Sequence, residues 1–140
     1  MQLVFLSNKF YQFYSGCAEI EQKSNRPYVM VCIHLNGFNY AVPLRSNITH
    51  PHVFWTDKQN HCGVDFSKAV VLWDPQFIDT SRTPHIRQNE FDALRGKEYL
   101  LEQHLLKYIQ EYKRAKRMQH ISRYQTLVAY STLQYFEEYL

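Results

Sequence analysis

The fold is decided by two adjoining segments, Tyr28-Val-Met-Val-Cys-Ile-His-Leu35 and Phe38-Asn-Tyr-Ala-Val-Pro-Leu44, which are joined by Asn36-Gly37. The first segment is almost continuously apolar, which is typical of a strand buried on both faces. In the second, aromatic and branched residues alternate with polar or small ones, as in a half-buried strand. Asn-Gly accepts positive φ at both positions and favours a two-residue hairpin turn. The segments are therefore predicted to form an antiparallel hairpin, with His34 as a hydrogen-bonded core residue.

A cluster of polar and basic side chains follows the second strand directly. Its members are Arg45, Ser46, Asn47, Thr49 and His50. A guanidinium offers a planar fork of donors to phosphate oxygens, and an imidazole can exchange a proton near neutral pH. Because a hairpin returns the chain to its starting point, Arg26 is predicted to lie near Arg45 and Ser46. The cluster fits a phosphate site, although the same residue types also serve an ordinary surface turn.

Shorter segments on both sides of the hairpin predict the remainder of a small sheet. Residues 2–6 indicate a strand, and Ser7 is expected to cap a short helix over residues 9–14. Residues 50–63 are polar and are expected to be irregular. Residues 69–73 form another apolar strand, which Asp74-Pro75 ends, and residues 77–78 extend the sheet.

The C-terminal third predicts helices, because the spacing of its apolar residues changes from two to about 3.6. A short helix begins near Gln88 and is interrupted at Gly96. A long amphipathic helix then runs to about Arg117, and a less regular helix covers residues 121–135. The expected fold is a single α+β domain over residues 1–140: a small antiparallel sheet, closed into a barrel, with C-terminal helices packed on it.

Composition allows a nucleic-acid partner without requiring one. The 140 residues include 16 Lys and Arg against 13 Asp and Glu, and the net charge is +3. The cations concentrate in residues 107–123, where Lys113, Arg114 and Arg117 are candidates to follow an RNA backbone. An exposed helix face has the same composition. The 11 tyrosines and 9 phenylalanines supply core area and surfaces on which bases can stack.

Several enzyme classes are excluded by what the sequence lacks. Its four glycines form no phosphate-binding loop, and no nucleophile elbow occurs. His50, His52 and His61, even with Cys62 or Asp65 as a further ligand, have no established metal spacing, so no metal or cofactor is predicted. The three cysteines form no CxxC pair, which favours free thiols and a cytoplasmic location. No signal peptide or membrane-spanning segment is predicted.

The remaining chemistry suits RNA cleavage by the ribose's own hydroxyl. That reaction needs a group to accept the hydroxyl proton, cations to stabilise charge on the phosphate oxygens, and a donor for the leaving oxygen. It needs neither a metal nor a nucleophile from the enzyme. The same residue types also suit RNA binding without cleavage, and the two interpretations remain open on chemistry alone.

Three motifs resemble the toxins of type III toxin–antitoxin systems, and most closely the TenpIN family. They are Arg26-Pro-Tyr28, the run Tyr40-Ala-Val-Pro-Leu-Arg-Ser-Asn-Ile-Thr-His50, and Gly63-Val-Asp-Phe-Ser-Lys-Ala-Val-Val71. The likeness covers most of the chain, up to the long helix. It implies a sequence-selective endoribonuclease with a compact barrel core like that of the MazF and Kid toxins.

The resemblance also implies roles for individual residues. The family's key serine corresponds to Ser46, and its basic residue ahead of the central strand, a lysine in ToxN, corresponds to Arg26. ToxN has threonine where this chain has Arg45, which leaves two roles open for Arg45: that of the threonine, or a new phosphate contact. We expect Ser46 to hydrogen-bond the scissile phosphate or ribose, His50 to transfer the proton, and the two arginines to stabilise charge. Substrate contacts are expected from Asn47 and from Lys68, which is otherwise a solvated lysine beside a strand.

The partners implied are RNA molecules. In this family a repetitive antitoxin RNA is trimmed by the toxin, folds into pseudoknots and binds the basic groove, giving a toxin–RNA hetero-oligomer. The substrate would be cellular or phage RNA, as in abortive infection, and no membrane is involved. The alternative is a non-catalytic RNA-binding module that uses the same basic strand end and tyrosine-rich surface.

Overall fold

The structure is a computed structural model that describes residues 1–21 and 27–140. Its strands are β1 (Leu3–Leu6), β2 (Met30–Leu35), β3 (Phe38–Arg45), β4 (Val53–Asp57), β5 (Cys62–Asp65), β6 (Val70–Val71) and β7 (Ile78–Asp79). Its α-helices are α1 (Asn8–Phe13), α2 (Gln88–Leu94), α3 (Glu98–Arg117) and α4 (Ser122–Tyr130). The α+β order predicted from the sequence is therefore confirmed.

The central hairpin forms as predicted, with β2 and β3 antiparallel and Leu35 paired with Phe38. Asn36 and Gly37 both have positive φ, 51° and 82°, which the two-residue turn requires. The prediction for His34 is wrong. Its ring is exposed, and its Nδ1 lies 3.1 Å from Asn39 Oδ1 beside the Asn36-Gly37 turn.

The prediction of a closed barrel is also wrong. The sheet runs in the order β4-β5-β3-β2-β1-β7, and β6 pairs with β3 beside β5. One edge of β3 is thus shared, with Ala41 opposite Val70 and Arg45 opposite Gly63. Within the described ranges, β4 and β7 lie at opposite ends of the order and do not pair, so the sheet stays open.

The segment predicted to be irregular, residues 50–63, instead contains β4, a 3-10 turn over Lys58–Asn60 and the start of β5. The two strands pair antiparallel with a register shift between Trp55 and Asp57. This irregularity breaks the alternation of polar and apolar residues from which strands are predicted. The segment predicted as a strand over residues 69–73 keeps only the two paired residues of β6.

The helices at both ends follow local sequence signals. Ser7 caps α1, as predicted, and its side chain accepts a hydrogen bond from the Phe10 amide. Gly96, at φ 70°, separates α2 from α3. The prediction for the last helix is wrong at its end, because α4 stops at Tyr130 and a 3-10 turn follows over Thr132–Tyr135. Among the described helices, none has the length and apolar character that crossing a bilayer demands.

Helix α3 closes the core over the sheet. It packs against β2 and against α4. Its buried residues share one helical face: Leu101, Leu105, Tyr108, Ile109, Tyr112 and Ala115. The opposite face carries the basic side chains near the C-terminal end of the helix. The geometry leaves clefts on both sides of the C-terminal end of β3, where the polar cluster lies.

Candidate functional site

A buried carboxylate organises the C-terminal end of β3. Asp65 is completely buried, and its Oδ2 accepts a 2.7 Å hydrogen bond from Arg45 Nη1. Its Oδ1 accepts from Ser67 Oγ at 2.6 Å, from the Ser67 amide at 3.0 Å and from His50 Nε2 at 3.0 Å. Burial alone would raise the pKa of Asp65, but these hydrogen bonds outweigh it and hold the pKa below its ordinary value. Asp65 is therefore an anion at neutral pH, with a full set of donors.

Close backbone packing brings Asp65 to this position. Strand β5 pairs with the last residues of β3, so that Gly63 lies opposite Arg45. A Cβ atom on Gly63 would come within 2.4 Å of the Phe54 carbonyl oxygen and 2.7 Å of Val53 Cγ2. Only glycine lets β4 and β5 approach this closely, and that approach carries Asp65 underneath the polar cluster.

Ser46 lines a surface cleft of about 450 Å³, named here the Ser46 cleft. Its lining residues are Pro27, Tyr28, Val29, Leu44, Arg45, Ser46, Cys62, His85, Ile86, Arg87 and Glu90. The cleft thus brings a hydroxyl, two guanidiniums and an imidazole to one concavity. The imidazole is that of His85, which is exposed and comes from the loop ahead of α2.

A polar network holds that loop against the sheet. The buried carboxylate of Glu90 accepts from Thr56 Oγ1 at 2.5 Å and from Arg87 Nε at 3.1 Å. Arg87 Nη2 also lies 3.3 Å from Cys62 Sγ, and these contacts raise the pKa of Arg87. Because Thr56 and Cys62 belong to β4 and β5, the network fixes Arg87 beside the end of β3, and His85, two residues earlier in the chain, lines the same cleft.

Contacts with two acidic residues and one aromatic ring hold the side chain of Arg45 in place. Besides Asp65 it contacts Glu21, with Nη2 at 3.2 Å from Oε1, and its guanidinium lies 5.5 Å from the Tyr28 ring centroid. Burial acts to lower the pKa of Arg45, but the bonds with Asp65 and Tyr28 raise it overall. A guanidinium carries five N–H groups, so these contacts leave donors for a phosphate.

His50 does not share the cleft of Ser46, contrary to the prediction. Its Nδ1 accepts a 3.0 Å hydrogen bond from the His52 amide, which assigns the proton to Nε2. That Nε2 lies 3.0 Å from Asp65 Oδ1 and 3.2 Å from Ser67 Oγ. Both ring nitrogens therefore have internal partners. In this geometry His50 positions Asp65 and has no nitrogen left for a substrate proton.

The ring of His50 opens onto a second cleft of about 580 Å³, named here the His50 cleft. Its lining residues are His50, His52, Ser67, Tyr108, Glu111, Arg123, Tyr124, Thr126, Leu127 and Tyr130. It lies between the sheet and helices α3 and α4. Burial, and next the neighbouring His50, lower the pKa of His52, so the His52 imidazole is neutral at neutral pH.

Three other residues predicted for the site, Arg26, Asn47 and Lys68, have different outcomes. Arg26 lies outside the described residues, although the next residue, Pro27, lines the Ser46 cleft. Asn47 is exposed at φ 57°, a conformation that asparagine tolerates in turns. Lys68 Nζ binds Glu19 Oε2 at 3.0 Å and the Tyr130 carbonyl oxygen at 2.8 Å, so it is neither solvated nor free for RNA. That contact caps the C-terminal end of α4.

The predicted cations of α3 remain on the surface. Lys113, Arg114 and Arg117 are all exposed. Arg114 lies 5.9 Å from the ring centroid of Tyr124, at the edge of the His50 cleft. Across residues 1–21 and 27–140, no three or more His, Cys, Asp or Glu side chains are grouped so that they could hold a metal ion.

Sequence reasoning missed His85, Arg87, Asp65 and Arg123. His85 and Arg87 stand about forty residues after Ser46 in a loop with no motif, and only the docking of that loop reveals them. The sequence suggests Asp65 only as a possible metal ligand. Arg123 lies in the basic block, which signals RNA contact without showing where the contact is made.

Comparison with known proteins identifies no relative: no family model matches the chain, and no curated protein or solved structure is detectably similar to it.

Proposed function

We propose that the protein is an endoribonuclease toxin of the type III kind, which cleaves RNA without a metal in the Ser46 cleft. One observation carries the proposal: Ser46, Arg45, His85 and Arg87 line the same concavity of about 450 Å³. The resemblance in the sequence adds the toxin class and the relation to the MazF and Kid core. Arg26 is assigned to the site by that resemblance alone.

The chemistry uses groups of this chain, the RNA and solvent water. The His85 imidazole accepts the proton of the ribose 2′-hydroxyl, and the 2′-oxygen forms a bond to phosphorus. The bond from phosphorus to the 5′-oxygen breaks, and that oxygen takes a proton from solvent. The guanidiniums of Arg45 and Arg87 stabilise the charge on the phosphate oxygens, and Ser46 donates a hydrogen bond to one of them. The products are a 2′,3′-cyclic phosphate and a 5′-hydroxyl.

Cleavage of labelled RNA by the purified chain tests the proposal. We expect new ends with cyclic phosphates, equally with and without EDTA. His85→Ala and Ser46→Ala should each slow cleavage by roughly 10²-fold or more, the range for loss of a positioned proton-transfer or hydrogen-bonding group. His34→Ala is the matched control, because this exposed histidine of β2 lies opposite Asn39, at the end of β3 away from Ser46. Equal rates for all three variants would exclude the Ser46 cleft as the active site.

A growth assay tests the toxin role. Expression of the chain without RNA repeats from its own locus should halt growth, and His85→Ala should restore it. RNA that copurifies with the wild-type chain should consist of short repeat units, which would be the antitoxin. Continued growth with the wild-type protein at a level detectable by immunoblot would contradict the role.

A second candidate is an RNA-binding module without catalytic activity. It is favoured by the pairing of Arg45 with Asp65 and Glu21 and of Arg87 with Glu90, which leaves less positive charge to stabilise the extra negative charge that the phosphate gains during cleavage, while the unpaired cations elsewhere on the surface stay available to bind RNA. This candidate predicts tight, salt-sensitive RNA binding and no new RNA ends under any of the conditions above.

A further inference from the structure

The His50 cleft is separate from the cleft to which the chemistry is assigned, and it has the size of a ligand site. Its volume of about 580 Å³ falls within the range of roughly 300–1,000 Å³ that small-molecule sites occupy. By contrast, the cavity between α1 and the sheet that reaches Lys68 measures only about 40 Å³, little more than one water. The His50 cleft is therefore large enough to accept a nucleotide.

Three tyrosines give the cleft aromatic walls. Tyr108 and Tyr124 are buried with their rings at the cleft, whereas Tyr130 is 63% exposed at its rim. Tyr108 is held in place by a 2.8 Å hydrogen bond from its hydroxyl to Ser131 Oγ. An exposed tyrosine beside a rigid aromatic wall offers a nucleobase a face on which to stack.

Arg123 supplies the charge that such a ligand needs. Its guanidinium lies 4.8 Å from the Tyr124 ring centroid, and its Nη2 donates to the Tyr124 hydroxyl at 3.2 Å. Among the described residues it has no carboxylate partner within ion-pair distance, in contrast to Arg45 and Arg87. Glu111 lines the same cleft and can accept a hydrogen bond from the amino group of a base.

One cation of α3 lies at the edge of this site. The Arg114 guanidinium lies 5.9 Å from the Tyr124 ring centroid, and like Arg123 it has no ion-pair partner among residues 1–21 and 27–140. Lys113 and Arg117 are also exposed, but helical spacing turns them away from the side of α3 that carries Glu111. Two unpaired arginines, each able to hold one phosphate, suit a strand with successive phosphates better than they suit a single nucleotide.

We propose that the His50 cleft binds one nucleotide of a single-stranded RNA, with its base against Tyr130 and its phosphate on Arg123, while an adjoining phosphate lies on Arg114. The inference deepens the proposed function by giving the same RNA a second point of attachment. The two clefts meet at Asp65, whose carboxylate binds Arg45 of one and His50 of the other. The Asp65 side chain thus separates an RNA strand in the His50 cleft from the Ser46 cleft.

Binding of a short RNA to the full chain tests the inference independently of cleavage. The probe is a six-nucleotide single-stranded RNA that carries 2-aminopurine at its third position, whose fluorescence falls when the base stacks. Every protein carries Ser46→Ala, so that cleavage of the probe is too slow to affect the binding measurement. Arg123→Gln and Tyr130→Ala are compared with Arg95→Gln and Tyr99→Ala, which alter exposed residues outside the cleft.

We expect Arg123→Gln and Tyr130→Ala each to weaken binding by roughly five-fold or more. Arg123→Gln should also reduce the slope of log affinity against log salt by about 0.7, the value for one phosphate contact on a single strand. AMP should compete only at much higher concentration than the unlabelled hexamer.

If Arg123→Gln and Tyr130→Ala bind as tightly as their controls, the inference is overturned. Equal competition by AMP would overturn the assignment to RNA and favour a free nucleotide. If binding follows these expectations but the chain with Ser46 intact cleaves no RNA, the proposed nuclease activity is refuted and the proposed RNA site in the His50 cleft still stands.

Discussion

Replacing Asp65 with Asn tests whether a buried carboxylate holds both clefts together. The substitution keeps the shape of the side chain but removes its charge. It also sets an amide N–H₂ group against Arg45 Nη1 or His50 Nε2, both of which are donors. The side chain of Arg45 is only 23% exposed, so water can replace the lost partner only in part.

The size of the effect follows from this burial. Removing one member of a buried ion pair leaves an uncompensated charge and costs about 3 kcal/mol. With an unfolding entropy of roughly 2.1 cal/mol/K per residue over the whole chain, that cost corresponds to a fall in Tm of about 10 °C. The free energy should be lost even though no apolar contact is removed.

Urea and thermal unfolding of the purified variant measure the loss. Asp92→Asn is the matched control, because the pair of Asp92 with Arg95 is exposed on both sides and should contribute less than about 0.5 kcal/mol. Arg45→Met should cost less in the Asp65→Asn background than in the wild type, since the charge that it removes is already unpaired. A Tm for Asp65→Asn within about 3 °C of the control would refute the argument that Asp65 is a structural anion.

Three further predictions concern packing, charge and pH. Gly63→Ala should cost about 3 kcal/mol in urea unfolding, because its new methyl group would collide with the Phe54 carbonyl oxygen. Lys68→Met should lower stability by about 1 kcal/mol and leave RNA affinity unchanged, since its ammonium already has internal partners. The stability difference between wild type and Asp65→Asn should shrink below pH 3.8: a carboxyl whose folded-state pKa is depressed stabilises above its unfolded pKa, and that stability is lost as the pH falls through the folded pKa.

Each of these has a result that would contradict it. Wild-type stability for Gly63→Ala would mean that β4 and β5 are not packed as closely as described. Weaker RNA binding by Lys68→Met at unchanged stability would restore Lys68 as a substrate contact. A stability difference for Asp65→Asn that is as large at pH 3 as at pH 7 would show that the carboxylate charge is not what stabilises the fold.

The parts of the fold that could be predicted depend on neighbouring residues. Asn36-Gly37 makes its turn by its own backbone preference, Ser7 caps α1 within one helical turn, and Gly96 ends α2 where the sequence indicates. The strands of residues 53–65 could not be predicted. Their pairing includes a register shift and depends on the close approach of Gly63 to β4, which no local pattern encodes.

The candidate site divides in the same way. A basic and hydroxyl-bearing turn after the second strand follows from the chain alone, because Arg45 and Ser46 are adjacent in it. Which imidazole lies beside Ser46 depends on how distant segments pack. His50, four residues away, is bound by Asp65 and faces the helices, whereas His85 lines the cleft next to Arg87, which the Glu90 network holds. The physical reason is that a buried carboxylate must be hydrogen-bonded to offset its loss of hydration. The donors that satisfy Asp65 and Glu90 come from residues far apart in sequence, so only the packing of the chain shows which donors they are.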